Sequence, residues 1–273
     1  MDVQSSQRLL LFAVLGFLLV SVIGPLVWLY GPDQVSLTQR LKPPTFAHPF
    51  GTDQFGRDVL ARFLSGARLS AIFGLATVTA AACIGTTLGL VSGLSRGVAD
   101  IVISRLMDAV LAFPALILAM AFAIALKPGI LSAGVAVVTA ATPWYSRRVR
   151  SEVLSLRSRP YIEAERVLGA SKSRIIVFHI LPALFGGIIA QASLGVGYAV
   201  LTLTGLGFLG LGVQPPTPEW GSMITEGRRY LLAGNWWLSI FPGLGIVLLV
   251  VLAFGLGNML SDRFGHRARR SAK

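Results

Sequence analysis

Charge and cysteine are what this chain has least of. Asp, Glu, Lys and Arg make up 13% of its 273 residues, against roughly 25% in an ordinary soluble domain. A water-soluble fold needs that charge to clothe its surface, so composition argues against one. The single cysteine, Cys83, lies within an apolar run, so neither a disulfide framework nor a cysteine metal site is available. The three histidines, His48, His179 and His266, stand far apart and lack metal-ligand spacing. No Gly-x-x-x-x-Gly-Lys-Ser/Thr segment occurs, which excludes ATP binding through a P-loop. No G-x-S-x-G elbow occurs either, and nothing points to enzymatic activity in the chain alone. Acids are scarcer than bases, 12 against 24, for a net charge of +12. The bases sit between and beyond apolar runs, as in loops held on the cytoplasmic side of a membrane, and nucleic acid is not the expected partner.

What is there is apolar: 54% of the residues, gathered into six runs. They are Leu9 to Tyr30, Leu69 to Leu94, Leu106 to Leu126, Ile130 to Ser146, Ala183 to Val213 and Leu238 to Leu260. Each reads as a transmembrane helix, which makes the chain an all-α polytopic membrane protein with six spans. A signal peptide competes for the first run. Its apolar stretch of roughly 20 residues exceeds the usual 7–15, and no small-x-small cleavage site follows. The second run is rich in Ala, Thr and Gly, the composition of a helix packed inside a bundle. The third carries Asp108, expected at the interface beside Arg105. Lys127, Pro128 and Gly129 form a tight turn, and Pro143 breaks the short fourth run. The fifth exceeds the ~20 residues needed to cross, and its glycines let it tilt, bend or break. Within it, Gly205 to Gly210 matches the dinucleotide fingerprint G-x-G-x-x-G. That fingerprint requires a preceding strand and wet phosphates, so close helix packing or a flexible segment is the better reading.

Four segments follow. Residues 1–30 hold a cytoplasmic N-terminus and the first helix, and 31–68 an extracytoplasmic stretch with a helix N-cap at Thr52 or Asp53. Residues 69–260 form a five-helix core, and 261–273 a basic cytoplasmic tail. With six spans, 16 of the 24 Lys and Arg fall on one side and eight on the other. That bias places both termini in the cytoplasm.

One polar island interrupts the core, Arg147 to Pro182, with eight bases and the acids Glu152, Glu163 and Glu165. Inside it Pro160 suits a first helical position, and Gly169 suits the left-handed residue that ends a helix. Between them Ile162, Ala164, Val167 and Leu168 give an apolar surface beside Glu163, Glu165 and Arg166. A small loop cannot bury that surface by itself, so the segment reads as a docking element for another protein.

Glu163-Ala164-Glu165, then Gly169, then Leu181-Pro182 resembles the EAA loop of permease subunits of binding-protein-dependent ABC importers. Glu165 stands where Ala is usual in that loop, and His179 where Ile is usual. Two longer stretches are similar to the C-type permeases of the dipeptide, oligopeptide and nickel branch. They are His48-Pro-Phe-Gly-Thr-Asp-Gln-Phe-Gly-Arg-Asp58 and Leu209 to Pro216 followed by Glu219, Trp220 and Gly221; Asp108, Phe113 and Pro114 fit the same branch.

The resemblance implies a type I importer permease fold in a bacterial or archaeal inner membrane. It implies partners in the form of a second permease, two ATPase subunits or one fused double ATPase, and an extracytoplasmic solute-binding protein. It also implies that ATP and Mg are bound by partner subunits, with no cofactor or metal in this chain. Tyr161, Glu163, Ala164, Glu165, Gly169 and Ala170 would be the ATPase-docking residues; Glu165 either pairs with a partner base or faces water. In the outer loop Gln214 to Trp237, the residues Pro215, Pro216, Glu219 and Trp220 would face the binding protein or form an outer gate. The solute stays open among dipeptides, oligopeptides, nickel chelates, glutathione and haem. A secondary transporter needing no ATPase is the alternative, and it calls for internal repeats and intramembrane charges beyond Asp108.

Overall fold

Apolar sequence in a bilayer must satisfy its backbone internally, and this chain does so with helices. The computed structural model describes the backbone of residues 3–95 and 97–270, and most of their side chains up to residue 263. Arg96, Ser271 to Lys273 and the side chains of the last tail residues lie outside the described residues, and with them part of the expected basic tail. Among the described residues no strand forms; Thr52 and Asp58 make one isolated bridge.

Among the described residues ten α-helices follow in order. They are α1 (Val3–Val27), α2 (Val59–Leu94), α3 (Val98–Leu111), α4 (Ala115–Leu126), α5 (Ile130–Leu156), α6 (Pro160–Val167), α7 (Lys172–Ile175), α8 (Leu181–Phe208), α9 (Trp220–Arg228) and α10 (Trp237–Arg270). A π-turn, Ile176–Ile180, joins α7 to α8 without a break. By length and composition four of these rods can cross a membrane: Gln7–Val27, Val59–Leu94, Lys172–Phe208 and Trp237–Arg263. The bent pair α3–α4 makes a fifth if it counts as one span. Helix α5 does not join them, because Ser, Thr and Pro143 dilute its apolar start and Arg147, Arg148 and Arg150 follow.

Several boundaries depart from expectation for local reasons. The second helix starts ten residues before Leu69, because Asp58 caps it by accepting from the Ala61 N–H at 2.7 Å; neither Thr52 nor Asp53 is the cap. The third run is two helices meeting at 91°, broken at Ala112 to Pro114, since Pro114 has no N–H to continue the ladder. Pro143 does not break α5, which runs ten residues past Ser146 into the polar island. The Arg148 Nε to Glu152 Oε1 contact at 2.9 Å is one i,i+4 pair along that extension. Helix α8 stops at Phe208, where Leu211 and Gly212 N–H groups turn back onto the Leu206 carbonyl. Lys127, at φ 68°, makes the expected tight turn.

Helices α2 and α5 pack through a stripe of glycines four residues apart. A Cβ on Gly85 would lie 2.6 Å from Tyr145 Cβ, one on Gly89 2.6 Å from the Ser146 carbonyl oxygen, and one on Gly93 2.8 Å from Val153 Cβ. With lipid offering no hydrophobic drive for association, close backbone approach of this kind is what holds such helices. The second run thus packs as its composition implied. Helix α1 is the opposite case, with Leu9, Phe12, Leu15 and Leu19 all exposed.

The end of the bundle opposite α6 is a polar lock. Thr52, Asp53, Arg57 and Asp58 are buried. Asp58 also accepts from Trp28 Nε1 at 3.0 Å and lies 2.7 Å from His48 Nδ1. Asp53 accepts from the N–H groups of Phe55 and Arg57 and from Arg57 Nε at 2.5 Å. Arg57 reaches on to Glu226 of α9 at 3.2 Å, and buried Arg62 to Asp33 at 3.3 Å and the Pro216 carbonyl at 3.2 Å. Gly56, at φ 71°, lets the loop close, since a Cβ there would sit 1.8 Å from the Ser36 carbonyl oxygen. The stretch from His48 to Asp58 thus ties α1, α2 and α9 together.

Candidate functional site

The polar island divides into the end of α5, the helix α6 and the root of α8. Arg150 forks onto Asp100 of α3 with Nε to Oδ1 at 2.6 Å and Nη2 to Oδ2 at 2.7 Å, a bidentate pair that fixes α5 against α3. Arg157 Nη1 donates to the Gly93 carbonyl at 3.0 Å and pins the end of α5 to α2. Asp108 pairs with Arg147, not with its neighbour Arg105, and both partners are exposed.

Helix α6 begins at Pro160 as its sequence suggests. It ends in a Schellman turn: the Gly169 N–H donates to the Arg166 carbonyl and the Ala170 N–H to the Glu165 carbonyl, both at 3.0 Å. Gly169 has φ 85°, the left-handed conformation that this turn requires. A single side chain anchors the helix. Ile162 is fully buried among Val149 and Val153 of α5, Ile175 of α7, Ile180 of the π-turn and Leu184 of α8. On the other side Val167 and Leu168 are 87% and 82% exposed.

The six expected docking residues therefore divide. Tyr161, Glu163, Ala164 and Gly169 are exposed. Ala170 packs against the cluster around Ile162. Glu165 is half-buried and turned toward the root of α8, where His179 Nε2 lies 3.6 Å from its Oε1. Of the apolar surface read from sequence, Ile162 faces inward and Val167 and Leu168 stand out.

At the opposite end the outer residues need correction. Pro215 and Pro216 are exposed, but Glu219 and Trp220 are fully buried and present no surface. Trp220 fits against Gly66 and Gly245 and donates its Nε1 to the Phe63 carbonyl at 3.1 Å. Glu219 caps α9, accepting from the Gly221 and Ser222 N–H groups at 2.7 and 2.8 Å. Burial pushes its carboxyl above the ordinary value, and those two backbone bonds oppose the shift. Sequence gave no sign of this burial, because Pro-rich and Trp-bearing loops read as interface. The Gly-rich stretch before it is a packing site: a Cβ on Gly207 would strike Glu219 Oε2 at 2.2 Å.

Comparison with known proteins follows this geometry. Residues 85–266 match the family model for the binding-protein-dependent transport system inner membrane component. Over 252 residues the chain is 42% identical to the probable D,D-dipeptide transport system permease protein of Escherichia coli, covering 91% of this chain and 84% of that one. It is 38% identical to the di/tripeptide transport system permease protein of Pseudomonas aeruginosa over 269 residues, covering 96% and 88%. It is 41% identical to the glutathione transport system permease protein of Pectobacterium atrosepticum over 220 residues, covering 80% and 72%. Among solved structures, a chain of the MetNI methionine ABC transporter in an inward-facing form superposes with a TM-score of 0.56 at 19% identity, covering 74% of this chain and 95% of that one. That likeness carries the type I importer fold. The chain belongs to the family of binding-protein-dependent transport system inner membrane components, as a permease component of an ABC importer.

Proposed function

We propose that this chain is one of two unlike permease subunits of an ATP-driven importer of di- or oligopeptides in a bacterial inner membrane. Its α6 would be the helix that seats in a groove of the partner ATPase. The observation that carries this reading is the tip of α6. Val167 and Leu168 are held out on a helix with one inward anchor, and a partner groove would cover them. Glu163 and Ala164 share the exposed surface. Partner ATPases would bind ATP and Mg, and their closure would draw this helix and its counterpart together. The pull would pass through Ile162 to α5 and α8 and tilt the bundle between inward- and outward-open forms. The curated relatives carry dipeptide, di/tripeptide and glutathione transport in their names, which supports a small peptide as solute. An extracytoplasmic solute-binding protein would deliver it, and the exposed Pro215 and Pro216 offer a contact surface on that side.

The test is co-purification from mild detergent followed by uptake of labelled dipeptides. An ATPase and a second permease should come down with wild type, and the ATPase should be lost with Gly169→Pro while membrane insertion persists. Normal uptake by a well-expressed Gly169→Pro chain would remove α6 from this role.

A further inference from the structure

Glu165 and His179 occupy the two positions at which this chain departs from the EAA pattern, and the fold brings them face to face. They are fourteen residues apart in sequence, on α6 and on the π-turn that roots α8, with Nε2 to Oε1 at 3.6 Å. Their side chains are 33% and 28% exposed, so water screens the pair only in part. Both line a pocket of about 580 Å³ with Ser171, Ser173, Arg174 and Phe178. Facing His179 from α6 are Glu165 and the Tyr161 ring, whose centroid is 6.3 Å away. From its own rod Arg174 shares the pocket.

The mechanics of α6 give this pair a task. Helix α6 has eight residues and one buried anchor, Ile162, and it joins α7 through the left-handed Gly169. A rod fixed at one point and hinged at its end can turn about that point, and turning loses the displacement it should pass on. A second fixed point one turn further along the rod stops the rotation. Glu165 supplies one, because it meets His179 at the root of α8 three residues after Ile162, whose cluster joins α5, α7 and α8. The π-turn carries the other partner: the Leu181 N–H donates to the Ile176 carbonyl five residues back, a widened turn of the kind often found at functional positions.

We propose that Glu165 and His179 are positioning residues, a polar cross-brace that locks α6 to α8 so that movement of the docking helix reaches the long rod Lys172–Phe208. The proposal rests on α6 being the ATPase-docking helix argued above. It predicts a loss of coupling with no loss of docking.

The test uses the whole transporter, reconstituted in proteoliposomes with its ATPase and binding protein. It reads dipeptide uptake per ATP hydrolysed and, in parallel, ATPase co-purification. Glu165→Ala and His179→Ala should each lower uptake per ATP by about twofold to fivefold, the scale of a partly exposed polar contact. The double variant should be no worse than either single, and His179→Arg should keep most of the function by placing a donor opposite Glu165. Co-purification should stay at the wild-type level throughout. Should His179→Ala fail to assemble, Glu165→Gln with His179→Arg completes the same cycle. Losses that multiply in the double variant, or a His179→Arg chain as poor as His179→Ala, would overturn the brace while leaving docking intact. An ATPase that fails to co-purify even with wild type would instead bring down the docking reading, and the brace with it.

Discussion

Replacing Gly89 with alanine separates the effect of helix packing from that of helix propensity. A Cβ at this position would sit 2.6 Å from the Ser146 carbonyl oxygen and 2.7 Å from Val149 Cβ, and neither belongs to a flexible side-chain end. Restoring ordinary contact requires α2 and α5 to part by about 0.8 Å, and that gap weakens the dispersion contacts of Gly85 and Gly93 on the same stripe. Overpacking of this kind costs about 1–3 kcal/mol. Alanine's better helix propensity returns up to about 1 kcal/mol. The net expectation centres on a loss of about 1 kcal/mol, roughly a 5-fold fall in the folded-to-unfolded ratio. Gly16 on α1 is the matched control, because nothing lies within 4 Å of a Cβ there. Thermal unfolding in one detergent should show Gly89→Ala melting below wild type and Gly16→Ala at or above it. The loss should extend to transport, since Val149 and Val153 beneath this stripe also hold Ile162 of α6. Equal melting of the two alanine variants would refute the view that close glycine packing holds α2 to α5.

Three further outcomes follow from the geometry. Gly169→Ala places a side chain at φ 85°, which costs about 1–2 kcal/mol of strain, so α6 should fray and uptake fall while the chain still inserts, as read by uptake and membrane fractionation. Arg150→Lys should destabilise nearly as much as Arg150→Ala in thermal unfolding, because a single ammonium cannot reproduce the fork onto Asp100. Glu219 is held above its ordinary value of 4.5 by burial, so the folded chain keeps a proton that the unfolded chain has released. Its contribution is therefore fully present below pH 4.5 and falls as pH rises from there through the folded-state value; Glu219→Gln should flatten that part of the melting-temperature profile.

How much of this was legible in the sequence depends on the scale of the signal. Apolar runs mark helices because backbone in lipid has few alternatives, and the punctuation of α6 by Pro160 and Gly169 is local chemistry that needs no tertiary information. The Ala-, Thr- and Gly-rich composition of the second run marks a packed helix, but the stripe Gly85, Gly89 and Gly93 and its partner α5 emerge only from the structure. What stayed hidden is long-range. The pairing of Asp100 with Arg150 spans fifty residues and that of Arg57 with Glu226 more than three times as many, and periodicity carries no trace of either. The run from His48 to Asp58 is polar and carries no periodic signal for burial, yet its polar groups satisfy one another and sink below the surface. Glu219 and Trp220 misled because a Pro-rich, Trp-bearing loop reads as interface, yet both are fully buried. Pro143 was read as a break, but α5 continues through it, held on either side by its packing against α2.

The account turns on whether the tip of α6 touches an ATPase. The direct measurement places one cysteine at Leu168 after the exposed Cys83 is changed to serine, and a second, control cysteine at Leu15 on the exposed face of α1. Short bifunctional cross-linking in intact membranes should join the Leu168 position to an ATPase subunit of about the expected mass, and the Leu15 position to none. A Leu168 cysteine that stays unlinked while the transporter remains assembled and active would contradict the account.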